Sequence, residues 1–326
     1  MEHKPTVVVL DDWENVLRDR VDWRTIRSRA NVIIHNQKLD PQALPAALSA
    51  AQVLVLFRDR TPVDANLIAQ LPDLQRIIST GARNRTLNAE AAERAGIHVG
   101  HTAWGPSKAS TCEHTWALIL AAVKRLPQST LSVSNSRWRN PAVSAFMPPV
   151  MEGKRLGLIG LGQIGQRVAA FGKALGMQVV TWSPNMTAER AAEHDVLAVS
   201  LQELLETSLV VSMHLVPSET TRHLLNRERL GWMRPDAILV NTSRAELIHT
   251  GALVDALQHK RLAFCALDVF DHEPLSPDHP LLSMSNVLLT PHVGFLCNEV
   301  VHNFAVGVQQ QLEAHFLRPD IAASSA

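Results

Sequence analysis

Apolar residues in this chain fall in short, β-branched runs separated by longer stretches of helical period. That alternation is the pattern of βαβ units, in which parallel strands are covered on both faces and each crossover is a helix. The first runs are Thr6–Leu10, Asn31–Ile34, Gln52–Phe57, Gln75–Ile78 and Ile97–Val99. Between them lie helix-like stretches such as Pro41–Ala50, with Asp40 read as the N-cap and Pro41 as the first helical residue. A second series starts at Lys154, with strands expected at Arg155–Ile159, Gln178–Trp182, Leu209–Ser212, Ala237–Val240, Phe264–Leu267 and Val287–Leu289. A spacing of about 20 to 30 residues accommodates one strand and one crossover helix each.

Two further segments frame that series. A long apolar helix is expected over Ala109–Leu126, and the turn-rich H-T-A-W-G-P-S-K before it, His101–Lys108, reads as a crossing between domains. Cys297–Leu317 has helical period and ends at Arg318-Pro319, with a small-residue tail expected to fray.

The length of 326 residues suits two domains. Thirty-one basic and 31 acidic residues cancel, so no net field draws the protein to nucleic acid or to an anionic membrane. The three cysteines, Cys112, Cys265 and Cys297, are too few and too scattered for a disulfide framework or a cysteine-ligated metal. Fifteen histidines are spread without H-E-x-x-H spacing, so no metal is expected. No apolar run approaches a signal peptide or a membrane span, and a cytoplasmic setting is the expectation.

The first motif with chemical meaning follows the strand R-L-G-L-I. There G-L-G-Q-I-G, Gly160–Gly165, leads into a helical pattern, Gln163–Leu175, that stops at Gly176. Gly160 permits a tight turn, Gly162 lets backbone N–H groups approach a pyrophosphate, and Gly165 lets the helix pack closely on the strand. With Gln163 and Ile164 opening the helix, the loop aims a positive helix end at phosphate charge. A nicotinamide dinucleotide is the expected cofactor. Where the second strand of such a unit ordinarily ends in an acid for the ribose hydroxyl, this chain has Ser183. A serine does not repel a 2′-phosphate, and Arg190 stands nearby in sequence, so NAD and NADP both remain open. The plainer reading of Ser183 is that it starts a turn with Pro184.

Three motifs follow at strand ends: V-N-T-S-R (Val240–Arg244), A-L-D-V-F-D-H-E-P (Ala266–Pro274) and L-T-P-H-V-G (Leu289–Gly294). With them the chain resembles the D-isomer-specific 2-hydroxyacid dehydrogenase family, which includes glycerate, lactate, phosphoglycerate and formate dehydrogenases. The resemblance extends to Thr80-Gly81-Ala82-Arg83-Asn84, to C-E-H-T-W-A-L-I-L (Cys112–Leu120) and to S-M-H-L-V-P-S-E-T-T-R (Ser212–Arg222).

The resemblance implies a triad of Arg244, Glu273 and His292. His292 would protonate the carbonyl oxygen of a 2-keto acid and act as base in the reverse direction, a role suited to imidazole. Glu273 would fix its tautomer, and Arg244 would hold the substrate carboxylate and carbonyl with its planar fork of donors. The family pattern also places Leu215, Val216, Thr242, Ser243 and Asp268 at the cofactor, Asp268 near the nicotinamide carboxamide. Thr80, Gly81 and Ala82 match the substrate-binding loop, with the backbone N–H groups of Gly81 and Ala82 receiving the carboxylate. Read singly, His292 is a turn histidine, Glu273 a loop acid and Arg244 a surface charge; in register with a dinucleotide loop they form a reaction centre.

The chain departs from the family at two points. Ala245 replaces the usual glycine after the arginine, which would strain the backbone were φ positive there. Arg83 stands where an aspartate is commoner, an extra cation that would either suit a more acidic substrate or simply face solvent.

The fold expected is α/β: two Rossmann-like domains with doubly wound parallel sheets, the nucleotide domain (105–293) inserted into a flavodoxin-like substrate domain (1–104 and 294–326). A cleft between them would hold the substrate, and a homodimer is expected, with the apolar helix Ala109–Leu126 contributing. The competing readings are a formate-dehydrogenase-like activity, disfavoured by the Glu273–His292 pairing where a Gln-His pair is expected, a corepressor-like dinucleotide sensor without turnover, and a methyltransferase, which leaves the later motifs unexplained.

Overall fold

The computed structural model describes residues 4–138 and 147–317. The tail expected to fray after Arg318 lies outside them. By its internal packing the chain divides into two units: residues up to Pro106 together with those from Cys297 onward, and Ser107–Leu296.

Among the described residues, the first unit holds five strands: β1 (Thr6–Leu10), β2 (Asn31–Ile34), β3 (Ala51–Leu56), β4 (Arg76–Ser79) and β5 (His98–His101). All pair in parallel in the order β2-β1-β3-β4-β5. This is the flavodoxin-like order, with its reversal between β1 and β3. Every residue of β1 is buried, as befits a strand covered on both faces. The helix Asn298–Phe316 returns to this unit and buries Val300, Val301, Phe304, Ala305, Val308 and Leu312. Its Phe304 ring meets Phe57 edge-on at 5.9 Å.

The second unit holds β6 (Arg155–Ile159), β7 (Gln178–Trp182), β8 (Leu197–Ala198), β9 (Val210–Met213), β10 (Ile238–Asn241), β11 (Phe264–Leu267) and β12 (Val287–Leu289). The order β12-β11-β10-β9-β6-β7-β8 is that of a doubly wound dinucleotide fold, reversing between β6 and β9. Successive strand residues serve opposite faces. Val211, Leu239 and Cys265 pack with the helices Leu201–Thr207, Arg227–Trp232 and Thr250–Gln258. Val210, Ile238, Val240 and Phe264 pack with the helices Ser107–Lys124 and Gln163–Ala174. Both sheet faces are therefore core, which is why these strands read as continuous apolar runs.

Two expected helices are corrected. In place of Pro41–Ala50 the helix is Leu44–Leu48. The Asp40 carboxylate accepts the Gln42 N–H at 2.8 Å and its carbonyl accepts from Ala43, closing a turn ahead of the helix. Pro41 and Pro45 each lack an N–H, which shortens the run of helical bonds. The helix expected over Ala109–Leu126 runs from Ser107 to Lys124, then breaks at Arg125 (φ 52°) and restarts as Leu126–Ser134. Pro127 explains the break: inside one continuous helix its ring would collide with the carbonyl four residues back. The two-residue strand β8 has no counterpart in the apolar pattern. Among the described residues no helix is long and apolar enough to cross a membrane.

Candidate functional site

The carboxyl ends of β6, β7, β9, β10, β11 and β12 carry the residues singled out in the second unit. Parallel pairing brings these ends to one edge of the sheet. Gly160, directly after β6, has φ +103°, and a Cβ on it would meet the His214 carbonyl oxygen at 2.7 Å. Gly165, in the first turn of the helix Gln163–Ala174, packs against the Gly160 carbonyl with no room for a side chain. Gly162, the N-cap, is different: a Cβ there would meet no atom of the chain within 4 Å. The chain's own packing thus demands the first and third glycines and leaves open space over the middle one. That fits a pyrophosphate at the positive end of a 12-residue helix. Gln163 is exposed and Ile164 half-buried beside it.

Ser183, just past β7, accepts the Met186 N–H on its carbonyl at 3.1 Å and so begins a turn. Arg190 donates to the Asn185 carbonyl in that same loop at 2.5 Å. A cation therefore borders the segment after β7.

Beyond β9, Leu215 is half-buried and Val216 is 73% exposed, an apolar side chain open at the ligand edge. The Ser243 hydroxyl donates to the Leu215 carbonyl, and the Thr242 and Thr115 hydroxyls share a bond of 2.7 Å. Asn241, the last residue of β10, accepts the Ser243 N–H (3.0 Å) and donates to the Arg244 carbonyl (2.8 Å). This side-chain-to-backbone turn fixes where Arg244 leaves the strand. The Arg244 guanidinium donates to the Ser243 carbonyl at 2.7 Å. The chain then enters a 3-10 turn, Ala245–Leu247, and Ala245 is not among the residues with positive φ. The strain anticipated for a side chain at 245 does not arise; its Cβ lines a small cavity with Leu253, Phe270 and Leu281.

Glu273 and His292 meet. His292 Nδ1 lies 2.7 Å from Glu273 Oε2, while Glu273 Oε1 accepts the Phe270 N–H at 3.0 Å. An ionised carboxylate only accepts, so Nδ1 is the donor and Nε2 remains for a reacting group. Both side chains are part-exposed, at 33% and 26%. His292 has φ +55°, a left-handed backbone that costs a non-glycine residue about 1–3 kcal/mol. Asp268, buried at the end of β11, accepts from the Thr290 hydroxyl (2.6 Å), the Val293 N–H (3.0 Å) and the Gly294 N–H (2.8 Å). Burial works to raise its pKa. Hydrogen bonds from His114, Thr290 and Gly294, together with the His114 charge, outweigh burial and hold the carboxyl below its ordinary value.

In the first unit the loop after β4 is also built by side chains. Thr80 Oγ1 accepts the Arg58 N–H (2.9 Å), and Arg58 Nη1 donates to the Thr80 and Arg83 carbonyls (3.3 and 2.9 Å). Gly81 donates its N–H to Thr102 Oγ1 at 2.8 Å, so this group is committed within the loop and is not the carboxylate donor expected from the sequence. Ala82 and Arg83 are exposed. The Arg58 guanidinium lies 3.9 Å from the centre of the Trp104 ring.

The sequence pattern described as "D-isomer specific 2-hydroxyacid dehydrogenase, NAD binding domain" matches residues 116–294. This chain belongs to that family. A glyoxylate reductase of Aeropyrum pernix is 37% identical over 276 residues, 83% of this chain and 81% of the relative. A D-3-phosphoglycerate dehydrogenase of Archaeoglobus fulgidus is 34% identical over 258 residues, 79% of this chain; the match spans about half, 48%, of that longer protein. Among solved structures, a phosphoglycerate oxidoreductase from Vibrio cholerae O395 superposes with a TM-score of 0.86 at 31% identity, covering 96% of this chain and 98% of its own. Membership bears out the expected α/β fold and the expectation of a nicotinamide-dependent dehydrogenase acting on a CH–OH group. Two residues that shape the site, Asn241 and His114, carried no role in the sequence reading. Both act through hydrogen bonds to neighbouring turns, which leave no local signature.

Proposed function

We propose that this protein reduces a 2-keto acid to a D-2-hydroxy acid with NADH or NADPH, and runs the reverse oxidation. The observation that carries the reading is the 2.7 Å bond between His292 Nδ1 and Glu273 Oε2. With Nδ1 committed to Glu273, the imidazolium Nε2–H is the proton for a carbonyl oxygen, and the neutral ring is the base for the reverse step. Glu273 keeps the tautomer and steadies the charge that His292 carries before it gives up its proton. Arg244, set by Asn241, would take the substrate carboxylate and polarise the carbonyl. A bound nicotinamide supplies the hydride; Gly160, Gly162, Gln163, Ile164 and Gly165 would hold its pyrophosphate. Leu215, Val216, Thr242, Ser243 and Asp268 would border the rest of the dinucleotide. Ser183 and the cation of Arg190 leave a 2′-phosphate unopposed. On the first unit the exposed Ala82 is assigned to the substrate carboxylate, with Thr80 and Gly81 shaping the loop that carries it.

We further infer a homodimer and a cytoplasmic location. The exposed apolar side chains Leu126, Leu131, Val133 and Trp138 support the first. Free thiols at Cys112, Cys265 and Cys297, two of them buried, suit a reducing compartment.

The test is oxidation of NADH and NADPH by purified protein with glyoxylate, hydroxypyruvate, pyruvate and phenylpyruvate. Turnover with at least one pair is expected, and His292→Ala should lose about a hundredfold or more in kcat while keeping its dinucleotide affinity. Dinucleotide binding without turnover on any keto acid would instead favour a sensor.

A further inference from the structure

The left-handed backbone of His292 raises the question of what holds the turn in place. Asp268 braces it from both sides: Thr290 precedes His292, Val293 and Gly294 follow it, and all three donate to the one carboxylate. Behind Asp268 stands His114, on the helix Ser107–Lys124. Its Nε2 lies 3.0 Å from Thr290 Oγ1 and 3.3 Å from Asp268 Oδ1.

The direction of these bonds follows from counting protons. The Thr290 hydroxyl has one hydrogen, and the carboxylate, which only accepts, takes it. Toward His114, Thr290 therefore presents a lone pair, so His114 Nε2 carries the hydrogen and shares it between Thr290 and Asp268. One turn earlier on the same helix, Ser110 Oγ lies 2.9 Å from the Gly294 carbonyl and 3.0 Å from that of Leu296. The His114 ring also lies against Gly294, where a Cβ would come within 2.9 Å of Asp268 Oδ2 and 3.2 Å of His114 Cδ2. A long helix packed in the core of its unit thus grips segment 290–296 with two side chains four residues apart.

We propose that His114 is a positioning residue for His292. By donating to Thr290 and Asp268 it locks the brace that keeps residues 290–294 in their strained turn, and so sets the His292 ring against Glu273. The inference rests on the reading of His292 as the proton donor, and it adds a member to that machinery from a helix at the other end of the unit's sequence.

The test compares His114→Leu, which removes the donor at similar volume, with His114→Gln, whose amide nitrogen reaches about as far. The Leu variant should lose about tenfold in kcat with KM for the keto acid and the dinucleotide Kd changed by no more than about twofold. The Gln variant should recover most of the loss. Amide hydrogen exchange at Val293 and Gly294 should quicken in the Leu variant and return toward the parent rate in the Gln variant. Unchanged kcat and exchange in His114→Leu would overturn the proposal. So would equal impairment of the two variants, which would assign the effect to packing. Should His114→Leu fail to fold, Thr290→Val removes the shared hydroxyl and is read in the same two ways. If the parent protein turns over no keto acid, the functional reading fails, while the exchange rates still decide whether His114 holds the turn.

Discussion

Asp268 is 1% exposed, yet its carboxyl is held below its ordinary pKa by the donors around it. A carboxyl with a depressed folded-state pKa contributes stability that is complete above the unfolded value, near 3.8, and is lost as pH falls through the folded value. Asp268→Asn should therefore be less stable than the parent at neutral pH, with the gap closing as the solution is taken below about pH 4. Urea unfolding of both proteins from pH 3 to 7 measures it; a gap that stays constant with pH would assign the loss to shape rather than charge. At this scale the sequence was legible where residues stand in motifs. Arg244, Glu273 and His292 each follow a readable strand. Asn241 stands inside V-N-T-S-R, but its work is to bond its own turn, which no motif signals. His114 was hidden for a stronger reason: its partner Thr290 lies 176 positions away, and only the folded sheet brings them together.

Elements show the same division. Strands buried on both faces are plain in the apolar pattern, and most were placed within a residue or two. Helix ends depend on proline and on side-chain turns, which shorten Pro41–Ala50 to Leu44–Leu48 and shift the bounds of Ala109–Leu126 by two residues. The apolar content of the long helix has a reason internal to its unit: Cys112, Trp116, Ile119 and Val123 enter the core against the sheet. The glycine loop offers a direct test at this scale. Gly165→Ala drives a methyl into the Gly160 carbonyl, and overpacking of this kind should cost about 1–3 kcal/mol. Gly162→Ala meets nothing in the chain, and the loss should be no more than about 1 kcal/mol, the cost of a poorer N-cap. Its effect should fall on dinucleotide affinity, weakened by about tenfold or more as the new methyl enters the phosphate's place. Thermal unfolding and dinucleotide titration of the two variants separate the effects. Equal affinity in Gly162→Ala and parent would argue against a pyrophosphate at this helix end.

For the whole molecule, the expected homodimer can be tested on the apolar side chains that follow the break at Arg125. The helix before it buries Cys112, Trp116, Leu118, Ile119 and Val123 and leaves Leu120 38% exposed, whereas Leu131 and Val133 after it are 62% and 56% exposed. Sedimentation equilibrium should give twice the 35.9 kDa chain mass, and Leu131→Asp with Val133→Asp should shift the protein toward the monomer. A parent protein that is monomeric at micromolar concentration would refute the dimer.

The chain leaves the five-stranded sheet at Pro106 and returns to it only with the helix Asn298–Phe316. A ribosome making this protein therefore exposes Phe57 and its neighbours long before Phe304 exists to cover them. The inserted unit is a single uninterrupted stretch and can close while synthesis continues, so the first part made is the last to be completed. Emergence of that last helix sets when the five-stranded sheet is sealed. Until then its apolar surface is a natural substrate for chaperones.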